Sequence, residues 1–174
     1  LILFLGDYIY ERRSGAPPFV RDFGAPEPTD LAGYRARHAL YKSDADLQAA
    51  HAACAWIVAW DVHEVANDYV GVTPPDPGLD AAFGLRRAAA YQAYFEHMPV
   101  RPSALLRNGA FQMYRSLGLG RLARLHVLDN RQFRDPLPCP GTPLRVGRPL
   151  SDCATRDATR TYLGAAQADW CARA

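Results

Sequence analysis

Two short apolar runs set the problem that this chain has to solve. Leu1–Leu5 (LILFL) runs straight into Gly6-Asp7, and Ala55–Trp60 (AWIVAW) runs straight into Asp61-Val62-His63-Glu64. A run of five or six β-favouring residues with no polar alternation reads as a strand covered on both faces. Each run then stops at a carboxylate. In an open α/β sheet the carboxyl ends of the strands are where ligands bind, so an Asp at that position is held by the sheet and aimed into a crevice.

The rest of the chain reads as connections around these runs. Residues 12–28 carry Pro17, Pro18, Pro26 and Pro28 with two glycines, which predicts a surface loop. Thr29 is expected to cap a helix in which Leu31, Tyr34, His38 and Tyr41 share one face. Ser43 with Asp46 resembles a capping box opening a second helix, with Leu47, Ala50, His51 and Cys54 on one side. A third helix is expected over Leu79–His97, ended by Pro99. Ala110–Arg115 and Leu122–Leu128 read as two strands around Gly118-Leu119-Gly120, residues 135–150 as a Pro-rich loop, and Thr159–Ala174 as a final helix. This order predicts a layered α/β fold.

Composition excludes more than it identifies. The formal charge is +2, and the basic residues alternate with acidic ones, so no nucleic-acid footprint is expected. Lys42 is the sole lysine among 20 basic residues, a bias that points to a GC-rich genome rather than a function. No apolar stretch has the length to span a bilayer. The cysteines Cys54, Cys139, Cys153 and Cys171 lack the close pairing of a zinc site. Cys139 and Cys153 lie in the Pro/Gly-rich loop, where a disulfide and two free thiols are equally open readings. A disulfide would favour an oxidising compartment. Cys54 is expected to be a buried thiol.

For the residues at the strand ends two readings stand side by side. Asp7 caps a turn or ligates a cation. Asp61 and His63 form a surface turn cluster or contribute to a metal centre, since carboxylates and imidazoles suit hard or borderline cations. His38 and His51 read as satisfied core residues, His97 as a helix-end imidazole suited to the dipole, and His126 as a strand residue. The arginines from Arg86 onward in the third helix read as a solvated face.

Several longer stretches carry a resemblance. LFLGDYIYE, RARHALYKSDADLQAAHAACAWIVAWDVHEVANDY, RRAAAYQAYFEHMPVR, LHVLDNRQFR and RTYLGAAQADW together resemble the PhoD-type alkaline phosphatase/phosphodiesterase family, a branch of the calcineurin-like metallophosphoesterases. The resemblance implies a layered metallophosphoesterase sandwich, with residues 1–174 as the central part of one catalytic domain that lacks its first and last strands. It implies hydrolysis of phosphate mono- or diesters with Fe(3+) and Ca(2+) as cofactors. A small phosphate ester is the implied substrate, the chain is expected to be a monomer, and the location is expected to be extracytoplasmic. By position, Asp7 matches the aspartate that bridges two metals and Tyr10 the tyrosine that ligates ferric iron. His63 matches the histidine that assists the leaving group, and Arg131 an arginine that clamps phosphate; a salt bridge from Arg131 to Asp129 or Glu64 is the competing reading.

One departure matters. The family reads Trp-Asp-Asp-His-Glu where this chain reads Trp60-Asp61-Val62-His63-Glu64. The second Asp is the expected metal ligand, and Val62 has no donor atom. Asp61 is the candidate to take over, although adjacent side chains in a strand point to opposite faces. One metal site is therefore expected to be weakened or lost. An inactive relative without turnover and a purely structural module are the alternatives, and the last predicts that Asp7, Asp61 and His63 stay apart.

Overall fold

The computed structural model describes residues 1–13, 21–24, 26–74, 80–105, 111–136 and 159–173. In chain order the elements are β1 (Ile2–Phe4), α1 (Leu31–Lys42), α2 (Ala45–Ala53), β2 (Trp56–Val58), α3 (Asp80–His97), β3 (Arg115–Leu119), β4 (Ala123–Val127) and α4 (Ala165–Arg173). A short 3-10 turn at Pro102–Ala104 follows α3. The result is a mixed α/β arrangement of helices and two small sheets.

The two apolar runs become neighbours. β1 and β2 pair in parallel, with Ile2 opposite Trp56, Leu3 opposite Ile57 and Phe4 opposite Val58. Parallel pairing needs a long crossover, which α1 and α2 supply. β3 and β4 form an antiparallel hairpin closed by a turn in which Leu122 N–H donates to the Leu119 carbonyl, with Gly120 at φ 59°. That turn lies two residues later than the sequence pattern suggests, and the strand expected at Ala110–Arg115 begins only at Arg115.

Helix starts follow side-chain capping. Asp30, not Thr29, caps α1, its carboxylate accepting from Gly33 N–H at 2.8 Å. Asp44, not Ser43, caps α2 by accepting from Leu47 N–H at 3.0 Å, while Ser43 closes α1. Asp and Ser are comparable caps, so pattern alone does not decide between adjacent candidates.

The core lies between the β1–β2 sheet and the helices α1 and α3. Tyr34, Val58, Trp60, Tyr69, Phe83, Tyr91, Tyr94 and Met113 fill it. Trp60 stacks on Tyr91 at 4.2 Å and meets Tyr94 edge-on at 5.4 Å. Among the described residues, only one face of the sheet is covered in this way. The expectation that β1 is buried on both faces does not hold: Leu3 and Leu5 are 49% and 81% exposed. These side chains, with Ile57, Leu125 and Leu128, line an open apolar groove of about 630 Å³.

Four side chains depart from expectation. Arg86 is buried, donating to Tyr34 Oη at 2.8 Å, Glu27 at 2.6 Å and the Val65 carbonyl at 3.1 Å, so that position is a core anchor and not a solvated face. His38 is buried as expected but unsatisfied: both ring nitrogens lack a hydrogen-bond partner among the described residues. Cys54 is half-buried and free, rather than fully enclosed. His51 is half-buried as well, its Nε2 2.8 Å from Tyr8 Oη. Cys139 and Cys153, and most of the Pro-rich loop, lie outside the described residues.

Candidate active site

The site begins with a glycine. Gly6 has φ 114°, and a Cβ there would sit 2.5 Å from Asp61 N and 2.8 Å from the Trp60 carbonyl carbon. Only glycine lets the end of β1 approach the end of β2 this closely. Asp7 follows in the left-handed region at φ 56°, which Asp tolerates better than most residues. The turn swings the Asp7 carboxylate across to the second strand end, where His63 N–H donates to its Oδ1 at 3.2 Å.

Two buried glutamates lock the two strand ends together. Glu64 accepts from Tyr8 N–H at 2.6 Å and from Asp61 N–H at 2.8 Å, one oxygen for each strand. Burial drives its acid up to about 7, although those two N–H groups favour the anion. Glu11 takes His63 Nδ1 at 2.7 Å on one oxygen and Asn67 N–H at 2.7 Å on the other. Burial alone would raise the Glu11 acid, but the hydrogen bond and charge of His63 hold it below the usual carboxylate range. The same contact raises His63 above its ordinary value, against a burial effect that would lower it. The hydrogen bond fixes the tautomer: Nδ1–H donates to Glu11, and Nε2 is the nitrogen left for chemistry.

Tyr10 closes the mouth. Its ring stacks on His63 at 4.1 Å between centroids and 27° between planes, and the residue is 40% exposed. Partial burial and the nearby carboxylates of Asp7, Glu64 and Glu11 push its phenol up from the ordinary value. Asp7, Tyr10 and His63 therefore come together, whereas the third residue of the expected cluster, Asp61, turns its carboxylate to Arg131.

Arg131 reaches Asp61, at the end of β2. It sits in a turn organised by buried Asp129, whose Oδ1 accepts from the N–H groups of Arg131 and Gln132, both at 3.0 Å. Gln167 of α4 pins that turn through the Asp129 N–H and carbonyl, each at 2.7 Å. The guanidinium pairs with Asp61, Nε to Oδ1 at 2.5 Å, rather than with Asp129 or Glu64. Val62, next to Asp61 in the chain, is buried. Among the described residues, no group of three or more His, Cys, Asp or Glu side chains is arranged to hold a metal ion.

Sequence reasoning misses Glu11 and Glu64 as site residues, although each ends a conspicuous motif, GDYIYE and DVHE. The usable signal is the repetition of a carboxylate just beyond each strand end. Their inward direction depends on the Gly6 turn, which spacing does not reveal.

Comparison with known proteins places the chain among relatives. Alkaline phosphatase D of Bacillus subtilis (strain 168) is 45% identical over 177 residues, a match covering 98% of this chain and 29% of that protein. The solved structure described as "Structure of PhoD" superposes with a TM-score of 0.80 at 44% identity, covering 97% of this chain and 32% of that one. The chain thus spans about a third of the length of the relatives it matches. The model of the PhoD-like phosphatase family matches residues 1–174 throughout, and the chain belongs to that family.

Proposed function

We propose that the mouth formed by Asp7, Tyr10, His63 and Arg131 is part of the active site of a phosphoric ester hydrolase acting on small mono- or diesters. The observation that carries this reading is the Glu11–His63–Asp7 arrangement: a histidine of fixed tautomer, hydrogen-bonded through its backbone to a carboxylate at the end of the neighbouring strand. In this reading residues 1–174 are the central part of one catalytic domain. The bare apolar face of β1, β2 and β4 supports a second layer packed there, as in a sandwich.

The donor chemistry fits a hard cation in part. Asp7 and Tyr10 both offer oxygen, and the raised Tyr10 phenol keeps its proton until a cation replaces it. These two residues would hold such a metal, with iron or calcium the expected identities. Bound there, a metal supplies Lewis-acid polarisation of a phosphoryl oxygen. Asp61 enters first as the anchor of Arg131, and as a metal donor only through its remaining oxygen. Arg131 binds and orients the phosphate by charge-assisted hydrogen bonds. As a water oxygen bonds to phosphorus and the ester P–O bond breaks, the imidazolium of His63, its Nδ1–H held by Glu11, gives its Nε2 proton to the departing oxygen, and the neutral ring then takes up the proton released by the attacking water.

The test uses the longest polypeptide that carries residues 1–174. Hydrolysis of p-nitrophenyl phosphate and bis-p-nitrophenyl phosphate is measured after addition of iron and calcium, beside the variant Asp7→Asn. Turnover that falls by roughly 100-fold or more in the variant is expected, the scale on which positioned catalytic groups act. Equal turnover in the two proteins overturns the reading. Val62 favours a second reading, a family member without turnover, and absence of both metal uptake and hydrolysis would establish it.

A further inference from the structure

Tyr10 and Glu11, adjacent in the chain, both reach His63, one through its ring and one through its carboxylate, and helix α1 holds the backbone between them. Arg37 is buried, and its Nη1 donates to the carbonyls of Tyr10 and, at 2.8 Å, Arg12, while Nη2 donates to the Pro26 carbonyl at 3.1 Å. Its planar head lies over the Phe23 ring at 4.4 Å. One helical turn further on, Tyr41 Oη accepts the Tyr10 N–H at 3.1 Å. Residues four apart lie on one helix face, so a single stripe of α1 grips both backbone polar groups of Tyr10.

We infer that Arg37 and Tyr41 are positioning residues: they splint the segment Tyr10–Arg12 so that the Tyr10 ring lies on His63 and the Glu11 carboxylate turns inward to His63 Nδ1. The acceptors that Arg37 meets here are backbone carbonyls, and burial pulls its guanidinium below the ordinary range. An apolar side chain would fill the same space without that desolvation cost. What it would not do is hold three carbonyls of an irregular segment in one fixed geometry, for which the multi-donor fork is suited. The splint acts through Tyr10 and Glu11 and touches no substrate. Its catalytic meaning rests on the function proposed above, whereas its geometry does not.

The experiment therefore reads geometry by NMR on the longest polypeptide that carries residues 1–174, without turnover. Two signals are followed: the upfield ring-current shift of His63 Hε1 caused by Tyr10, and the downfield His63 Nδ1–H proton hydrogen-bonded to Glu11. The variants are Arg37→Lys, which keeps the charge and removes the fork, and Tyr41→Phe, which keeps the ring and removes the acceptor. With helix content unchanged by circular dichroism, each variant is expected to lose at least half of the ring-current shift and to broaden or lose the Nδ1–H signal. Wild-type signals in both variants overturn the inference. If Arg37→Lys does not fold, Tyr41→Phe alone decides. An inactive complete polypeptide would defeat the functional proposal while leaving these signals as they are.

Discussion

Replacing His38 by Leu gives the sharpest energetic test of the core beneath the site. His38 is fully buried on α1, with its ring stacked on His97 at 5.0 Å and facing Tyr94 edge-on at 6.2 Å. Burial, aided by the charges of His97 and Lys42, depresses its pKa to about 3. A base whose folded pKa lies below its unfolded value of about 6.5 is stable as the neutral form. No stability is lost above that unfolded pKa, and stability falls as the pH drops from about 6.5 towards 3. Each pH unit in that window costs about 1.4 kcal/mol, so acidification to pH 5 costs about 2 kcal/mol through this residue. Glu64 and His63, whose values are raised, titrate in the opposite sense over part of the window. They are present in both proteins and cancel in the difference between His38→Leu and wild type. Urea unfolding followed by circular dichroism at pH 7, 6 and 5 should show that difference moving in favour of the variant by about 2 kcal/mol. At pH 7 the lost stacking is offset by removal of two unsatisfied nitrogens, so the two proteins should lie within about 1 kcal/mol there. A difference independent of pH would refute the reasoning, because it would mean that His38 is not held neutral by its surroundings.

Three further substitutions test the site and its support. Gly6→Ala places a Cβ against the backbone of Trp60 and Asp61 in a conformation that L residues resist. It should lower the unfolding free energy by about 3 kcal/mol or more and separate the strand ends, seen as loss of the His63 Nδ1–H signal. Arg86→Met leaves Glu27 and the buried Tyr34 oxygen without the guanidinium, while the Val65 carbonyl keeps the Tyr34 hydroxyl, and should cost about 2 kcal/mol of unfolding free energy in urea, where a solvated arginine would cost almost nothing. Arg131→Ala in the active polypeptide should raise KM for a phosphate ester roughly tenfold, the worth of one charge-assisted contact, while Arg131→Lys recovers only part of the loss.

The two strand ends are legible in the sequence because each apolar run meets a carboxylate at once, with no polar residue to soften the change. That same pattern brings Asp7 and His63 to one mouth, where a backbone hydrogen bond joins them. The family resemblance, not spacing, points to Tyr10 and Arg131. Details that depend on direction are not legible. Glu11 faces inward from a segment that leaves β1 through two positive-φ residues, Gly6 and Asp7, and is held by Arg37 and Tyr41 of α1, and no periodicity encodes that. Arg86 reads as an exposed helix arginine until Tyr34, Glu27 and the Val65 carbonyl converge on it from three other segments. The partner of Arg131 is hidden for the same reason, since Asp61 is its neighbour only after β2 and the Asp129 turn have come together.

The central claim is that His63, oriented by Glu11, protonates the departing oxygen. The most direct test compares His63→Ala with wild type on two phosphate esters, one with a p-nitrophenyl leaving group and one with an alkyl leaving group. A nitrophenolate leaves with little help, whereas an alkoxide needs a proton. Proton delivery by His63 predicts a loss in kcat of roughly 100- to 1,000-fold for the alkyl ester and less than about tenfold for the nitrophenyl ester. Equal losses on both esters, or none on either, would contradict it.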